Sequence, residues 1–141
     1  MDSRHSNGLV AELKAATYYA EQGHEIYWPA LTQSSVDFIA VKDGKTIRVQ
    51  VKAAYWCANK IGKYEYSYLQ ATVRKGPGQS KNYCGYSDLD CDEVCVSHEG
   101  FLWVFPVSVM KTRQTVVLDR GHDSEKAYRK GSFDTAPYKV K

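Results

Sequence analysis

Two periodicities divide the chain. Between residues 8 and 22, Leu9, Leu13, Ala16 and Ala20 recur at helical spacing, with Val10 and Thr17 flanking them. That pattern predicts an amphipathic helix packed through Leu9, Leu13 and Ala16. Ser6 or Asn7 is placed to cap its start and Gly23 to end it. His24 to Trp28 is short, partly apolar and stopped by Pro29, which suits a strand or an extended link. Thr32-Gln33-Ser34-Ser35 reads as a polar loop. From Val36 the period becomes two. Val36 to Val41 predicts a strand, Lys42-Asp43-Gly44-Lys45 a tight turn, and Thr46 to Lys52 the returning strand. On that return Ile47, Val49 and Val51 face one way and Arg48, Gln50 and Lys52 the other, the signature of a half-buried strand.

Further on, Asn59 to Lys63 predicts a turn, and Tyr64, Tyr66 and Tyr68 alternate along a strand running to Val73. Arg74 to Asn82 holds three cations, two Gly and a Pro with no apolar residue, which predicts an exposed loop. Glu93 to Ser97 and Phe101 to Val107 form a hairpin around Glu99-Gly100, and a polar tail follows Arg120. The order is helix, antiparallel meander, basic loop, hairpin and tail. It predicts an α+β fold whose sheet carries helix on at least one face. No internal repeat or linker interrupts it, so residues 1–141 are expected to form a single domain.

Composition narrows the class. Hydrophobic residues are 43% and charged residues 25%, which excludes a disordered chain. Nineteen Lys and Arg against sixteen Asp and Glu leave +3, a balance compatible with nucleic acid. Eleven Tyr outnumber four Phe and three Trp, and Tyr suits wet interfaces. The longest apolar run, Phe101 to Met110, is too short for a membrane span, and Met1 to Ser6 carries no apolar leader. A cytoplasmic protein with reduced thiols is expected. Cys57, Cys84, Cys91 and Cys95 lack zinc-site spacing and read as small buried hydrophobes. His5, His24, His98 and His122 lack metal-ligand spacing as well.

Chemistry gathers around four residues. Glu12 lies in the helix, Asp37 near the start of the first hairpin strand, and Gln50 and Lys52 two apart on one face of the second. The hairpin brings Asp37 to that pair, and a helix packed on the sheet brings Glu12. Taken singly, a helix-surface Glu, a turn-capping Asp or a solvent-facing Gln-x-Lys is ordinary; their order along one helix and hairpin points to a site.

Gly8-Leu9-Val10-Ala11-Glu12, Ser35-Val36-Asp37-Phe38 and Val49-Gln50-Val51-Lys52-Ala53-Ala54 together resemble the PD-(D/E)XK nuclease superfamily. The branch with Holliday junction resolvases is similar, and that of the group I intron-encoded homing endonucleases more so. For the latter the resemblance extends through Tyr86-Ser87-Asp88-Leu89-Asp90-Cys91-Asp92 and Trp103-Val104-Phe105-Pro106, covering about residues 7–107. Two positions depart from the superfamily pattern: Val36 replaces the common Pro, and Gln50 replaces the acid of the acidic-x-Lys triplet. Gln offers a neutral carbonyl oxygen, which can ligate a hard cation without adding charge.

The resemblance implies a restriction-endonuclease-like core, a mixed β-sheet flanked by helices. It implies a metal-dependent, sequence-specific double-strand DNA endonuclease, bacterial or phage-encoded. Glu12, Asp37, Gln50 and the Val51 carbonyl would hold Mg²⁺, with Mn²⁺ as a substitute, and Lys52 would act on the attacking water or the phosphate. Arg74, Lys75, Gln79 and Lys81 of the loop at 74–82 would bind DNA, Arg and Lys on phosphate, Gln on bases. Gln70 and Thr72 are also of the base-reading types. Tyr64, Tyr66 and Tyr68 would touch sugar or another subunit, or pack on the core. Cutting both strands takes two such sites, so a homodimer or homotetramer is expected. The alternatives are a junction-resolving, structure-selective nuclease and a non-catalytic DNA-binding relative.

Overall fold

The computed structural model describes residues 3–31, 34–74, 85–120 and 133–141. Helix α1 (Ser3–Glu21) leads to β1 (Glu25–Tyr27), β2 (Phe38–Lys42), β3 (Lys45–Ala53), β4 (Tyr55–Ile61), β5 (Tyr64–Thr72), β6 (Glu93–His98), β7 (Phe101–Pro106) and β8 (Thr115–Arg120). Five strands form a mixed sheet in the order β1-β2-β3-β6-β7, parallel only at β3–β6. A smaller antiparallel sheet is ordered β4-β5-β8. The architecture is α+β and restriction-endonuclease-like, as expected. Among the described residues α1 covers one face of the large sheet, and the layer on the other face is the small sheet rather than a second helix.

Local chemistry explains the boundaries. Asp43 and Gly44 both take positive φ, 52° and 76°, so Asp-Gly makes the hairpin turn that matches strand twist. Gly23, at φ 93°, ends α1, with its N–H on the Ala20 carbonyl and the His24 N–H on the Tyr19 carbonyl. That paired arrangement needs a left-handed residue at Gly23. The helix starts at Ser3, earlier than the 8–22 pattern indicated, so Asn7 is inside it rather than at its cap. The packing face also differs from expectation. Ala11, Ala15, Ala16 and Tyr19 are buried against Phe38, Ala40, Val49 and Val51, while Leu9 and Leu13 are half-exposed and Ala20 is exposed. Small side chains let the helix lie close on the sheet, and the larger ones are turned outward.

The second core lies between the sheets. Val94, Val96, Trp103 and Phe105 of the large sheet meet Leu69, Ala71, Val116 and Leu118 of the small one. Gln50 and Lys52 pair in register with Val94 and Val96 and so belong to this covered face. β3 is therefore buried on both sides through Val49, Gln50 and Val51, not half-solvated. On β5 the core-facing residues are Leu69 and Ala71; Tyr66, Tyr68, Gln70 and Thr72 alternate with them on the outer face, so Tyr66 and Tyr68 do not pack in the core. Gly85 bridges to Arg74 where a Cβ would stand 2.2 Å from the Met110 carbonyl, an approach only glycine permits. Cys91 and Cys95 are buried free thiols, as read from the sequence, and Cys57 is half-buried; Cys84 lies outside the described residues.

Candidate active site

The site forms where β2 stops and β3 continues. Asp37 stands one residue before β2, and its N–H donates to the Val49 carbonyl at 2.8 Å. Beyond that point β3 has no strand neighbour on this side among the described residues. The Val51 N–H, left without a ladder partner, donates instead to Asp37 Oδ2 at 2.7 Å. A strand residue's N–H and C=O point the same way, so the Val51 carbonyl opens toward the same gap. The Asp37 carboxylate is thereby fixed at the strand end by backbone chemistry.

Glu12 approaches from α1. Burial, together with the Asp37 charge close by, raises its pKa above the usual carboxylate range. Burial raises Asp37 as well, against the Val51 N–H and the Lys52 charge, which act to lower it. Two carboxylates in one partly buried place disfavour each other's ionisation. Lys52 comes from the other face of β3. Burial lowers its pKa, the Asp37 charge opposes that, and its Nζ sits 5.5 Å from the centre of the Tyr86 ring. Gln50 is only 7% exposed. Its Nε2 donates weakly to the Val51 carbonyl at 3.4 Å, and its Oε1 is buried with no hydrogen-bond partner among the described residues. Buried acceptors are nearly always satisfied, so an orphan oxygen on the residue next to Val51, whose N–H holds Asp37, fits a place for a cation. The donor set is two carboxylates and neutral oxygens; among the described residues no group of three His, Cys, Asp or Glu side chains is positioned for a metal. Such an all-oxygen set suits a hard ion rather than zinc.

Supporting residues hold this arrangement. Arg48 spans to the segment after Gly85, donating to Asp92 and to the carbonyls of Asp88 and Leu89. Asp92 Oδ2 accepts the Arg48 N–H at 2.8 Å, and Asp90 Oδ2 accepts the N–H and hydroxyl of Ser87. Ser35, two residues before Asp37, donates to the Asp90 carbonyl at 3.2 Å. The Tyr86 to Asp92 segment thus anchors the approach to Asp37 and places Tyr86 against Lys52. Sequence reasoning did not assign Arg48 or Tyr86; the salt bridge from Arg48 to Asp92, 44 residues away, leaves no local signal.

The structure brings Glu12, Asp37, Gln50, Val51 and Lys52 together. Arg74 lies two residues past the end of β5, bridged to Gly85. Lys75, Gln79 and Lys81 lie outside the described residues.

Comparison with known proteins agrees with this fold. A solved bacterial homing endonuclease, I-Ssp6803I, shares the fold at a TM-score of 0.73, with 19% identity over 97% of this chain and 88% of its own. Protein 5.3 of Escherichia phage T7 is 29% identical over 120 residues, 85% of this chain and 94% of the phage protein. The family model of the PD-(D/E)XK endonucleases matches residues 2–131, nearly the whole chain, and the chain belongs to that family.

Proposed function

We propose that the protein is a divalent-metal-dependent, sequence-specific endonuclease that cuts both strands of duplex DNA, of the homing type. The observation that carries this reading is the orphan Gln50 Oε1, on the side chain that reaches the Val51 carbonyl while the Val51 N–H holds Asp37. Asp37 is the central ligand, Glu12 the second carboxylate, and Gln50 Oε1 and the Val51 carbonyl the neutral members. When bound, Mg²⁺ or Mn²⁺ supplies Lewis-acid polarisation of the phosphate and an acidified water. Lys52 orients the attacking water and opposes the negative charge that grows on the phosphate oxygens. Tyr86 walls the ammonium on one side and keeps it near Asp37. The raised pKa of the carboxyl pair means that protons compete with the cation, so cleavage falls as pH drops toward their range.

Arg74, Lys75, Gln79 and Lys81 contribute DNA contacts from the 74–82 loop in this reading. A homodimer or homotetramer supplies the second site for the second strand. Support for assembly comes from Leu9, Val10, Leu13 and Phe101, apolar side chains about half exposed near one shallow depression.

The test is cleavage of supercoiled plasmid, a randomised duplex pool and a synthetic four-way junction in Mg²⁺, Mn²⁺ and EDTA. Duplex cutting in either metal and none in EDTA is expected. Asp37→Ala and Lys52→Ala should each lose cutting by about 10²–10³-fold or more while still binding DNA. Cutting in EDTA, or a parental rate in either variant, overturns the assignment. Cutting confined to the junction replaces the homing reading with a structure-selective one.

A further inference from the structure

The catalytic strand does not end at Lys52. After Ala53 the chain turns through Ala54, whose N–H donates to the Ser97 carbonyl, and runs out as β4. β4 and β5 pair along their whole length, from Tyr55 opposite Gln70 to Ile61 opposite Tyr64. β8 pairs only with Tyr68–Thr72. Among the described residues no third strand pairs with the rest of the hairpin, which is about 14 Å long at the usual rise per residue. Ala58, Asn59, Lys60, Gly62, Lys63 and Glu65 are exposed.

We propose that the β4–β5 hairpin is a DNA-reading arm, whose outer face enters the major groove beside the duplex segment held at Asp37. This rests on the DNA-cleaving reading of that site. Three features select duplex DNA as the occupant. The arm begins three residues after Lys52, so a duplex on the catalytic cluster lies within its reach. Its tip carries Lys60 and Lys63 against a single acid, Glu65, which Lys60 already pairs at 3.3 Å. Its outer face carries hydrogen-bonding groups at Tyr55, Asn59, Tyr66, Tyr68 and Gln70. Asn59 opposes Tyr66, and Gln70 Nε2 donates to the Tyr55 hydroxyl, itself 2.9 Å from Thr72 Oγ1. Asn59 spends its Oδ1 on the Lys60 N–H, leaving its amino group as donor. The major groove is wide enough for a two-stranded ribbon, and every base pair presents there at least one acceptor to an amide donor. The half-exposed patch of Leu9, Val10 and Leu13 has the opposite character and is the better seat for a second copy.

The experiment is a binding selection from a randomised duplex pool in EDTA, where no cleavage is needed, using the parent, Asn59→Ala and Gln70→Ala, with sedimentation of each protein. Parent enrichment of a motif is expected, with each variant losing about 5- to 150-fold of the preference at one or two positions. Lys60→Ala with Lys63→Ala should lower the salt slope of log K by about 0.9 for each phosphate the arm no longer neutralises, without changing the motif. Parental motifs in both amide variants overturn the proposal. So does a parent that enriches no motif, or amide variants that fall to a smaller oligomer with the motif unchanged. A parent that cuts DNA yet selects nothing removes the arm and keeps the nuclease. A parent that selects a motif yet never cuts in Mg²⁺ removes the nuclease and keeps the arm.

Discussion

Asp37 and Asp92 make the same local bond and end with opposite electrostatics. Each carboxylate accepts a backbone N–H of β3, Asp37 from Val51 at 2.7 Å and Asp92 from Arg48 at 2.8 Å. Asp92 also meets the Arg48 guanidinium, which holds its pKa below the ordinary value. Asp37 has no guanidinium against it among the described residues. It is more deeply buried, it faces Glu12, and its pKa is raised despite Lys52. A backbone cap positions both groups, but only one of them is left with charge that the protein does not neutralise. A strand-end carboxylate that is fixed, buried and underpaired is ready for a cation; one matched by a guanidinium fork is a fastener.

Isosteric amides break that comparison most strongly in activity. Asp37→Asn should lower the cleavage rate by about 10²–10³-fold or more, whereas Asp92→Asn should leave it within about threefold, the change expected of a surface pair. Plasmid nicking measured under single-turnover conditions separates them. Equal losses in the two variants would merge the two roles.

Stability should move the other way. Without metal, Asp37→Asn removes a disfavoured charge and raises Tm at pH 7, by about 2–4 °C. Asp92→Asn removes a matched charge and lowers it by a smaller amount. Their pH dependences differ in sign. Asp37 has a raised folded pKa, so its ionisation weakens the fold as pH rises from about 4 through that pKa. The Asp37→Asn advantage is therefore present at pH 7 and gone below about pH 4. Asp92 has a depressed folded pKa, so its contribution is present above about pH 4 and lost as pH falls through the folded value. Thermal melts of the parent and both variants between pH 3 and 8 read both trends.

The sequence revealed the parts of this contrast unequally. Asp43-Gly44 and the alternation of Ile47, Val49 and Val51 made β2 and β3 visible, because a turn residue and a period of two are local. The β6–β7 hairpin around Glu99-Gly100 was legible for the same reason. Glu12, Asp37, Gln50 and Lys52 were singled out by their order and by the family resemblance. What could not be read was what covers what. Leu9 and Leu13 outrank Ala11 and Ala15 in hydrophobicity, yet the close seat on the sheet takes the alanines. Gln50 looked solvent-facing because its neighbours alternate, and only the long-range placement of β4, β5 and β8 buries it. Strands β4 and β8 were missed because one holds Trp56, Ala58 and Lys60 on its second face and the other runs Val116-Val117-Leu118 without an alternating pattern. The Arg48–Asp92 fork depends on a pairing that no spacing rule encodes.

A smaller effect isolates Gln50. Gln50→Glu restores the acid that the family pattern carries and should lower the metal concentration needed for cleavage. Gln50→Leu removes the orphan oxygen and should raise it by about tenfold, the lower end expected for losing a metal-site group. Metal titrations of cleavage that superimpose for all three proteins would take Gln50 out of the ligand set.

The most direct test of the central claim needs no DNA. Melting curves of the parent, Asp37→Asn, Gln50→Leu and Asp92→Asn are recorded against increasing Mn²⁺. A ligand that binds only the folded state stabilises it by RT ln(1 + [L]/Kd). The predicted result is a Tm that climbs with Mn²⁺ in the parent and in Asp92→Asn, climbs only at higher concentration in Gln50→Leu, and stays flat in Asp37→Asn. A parental Tm indifferent to Mn²⁺, or an equal climb in Asp37→Asn, would contradict a cation site at the end of β2.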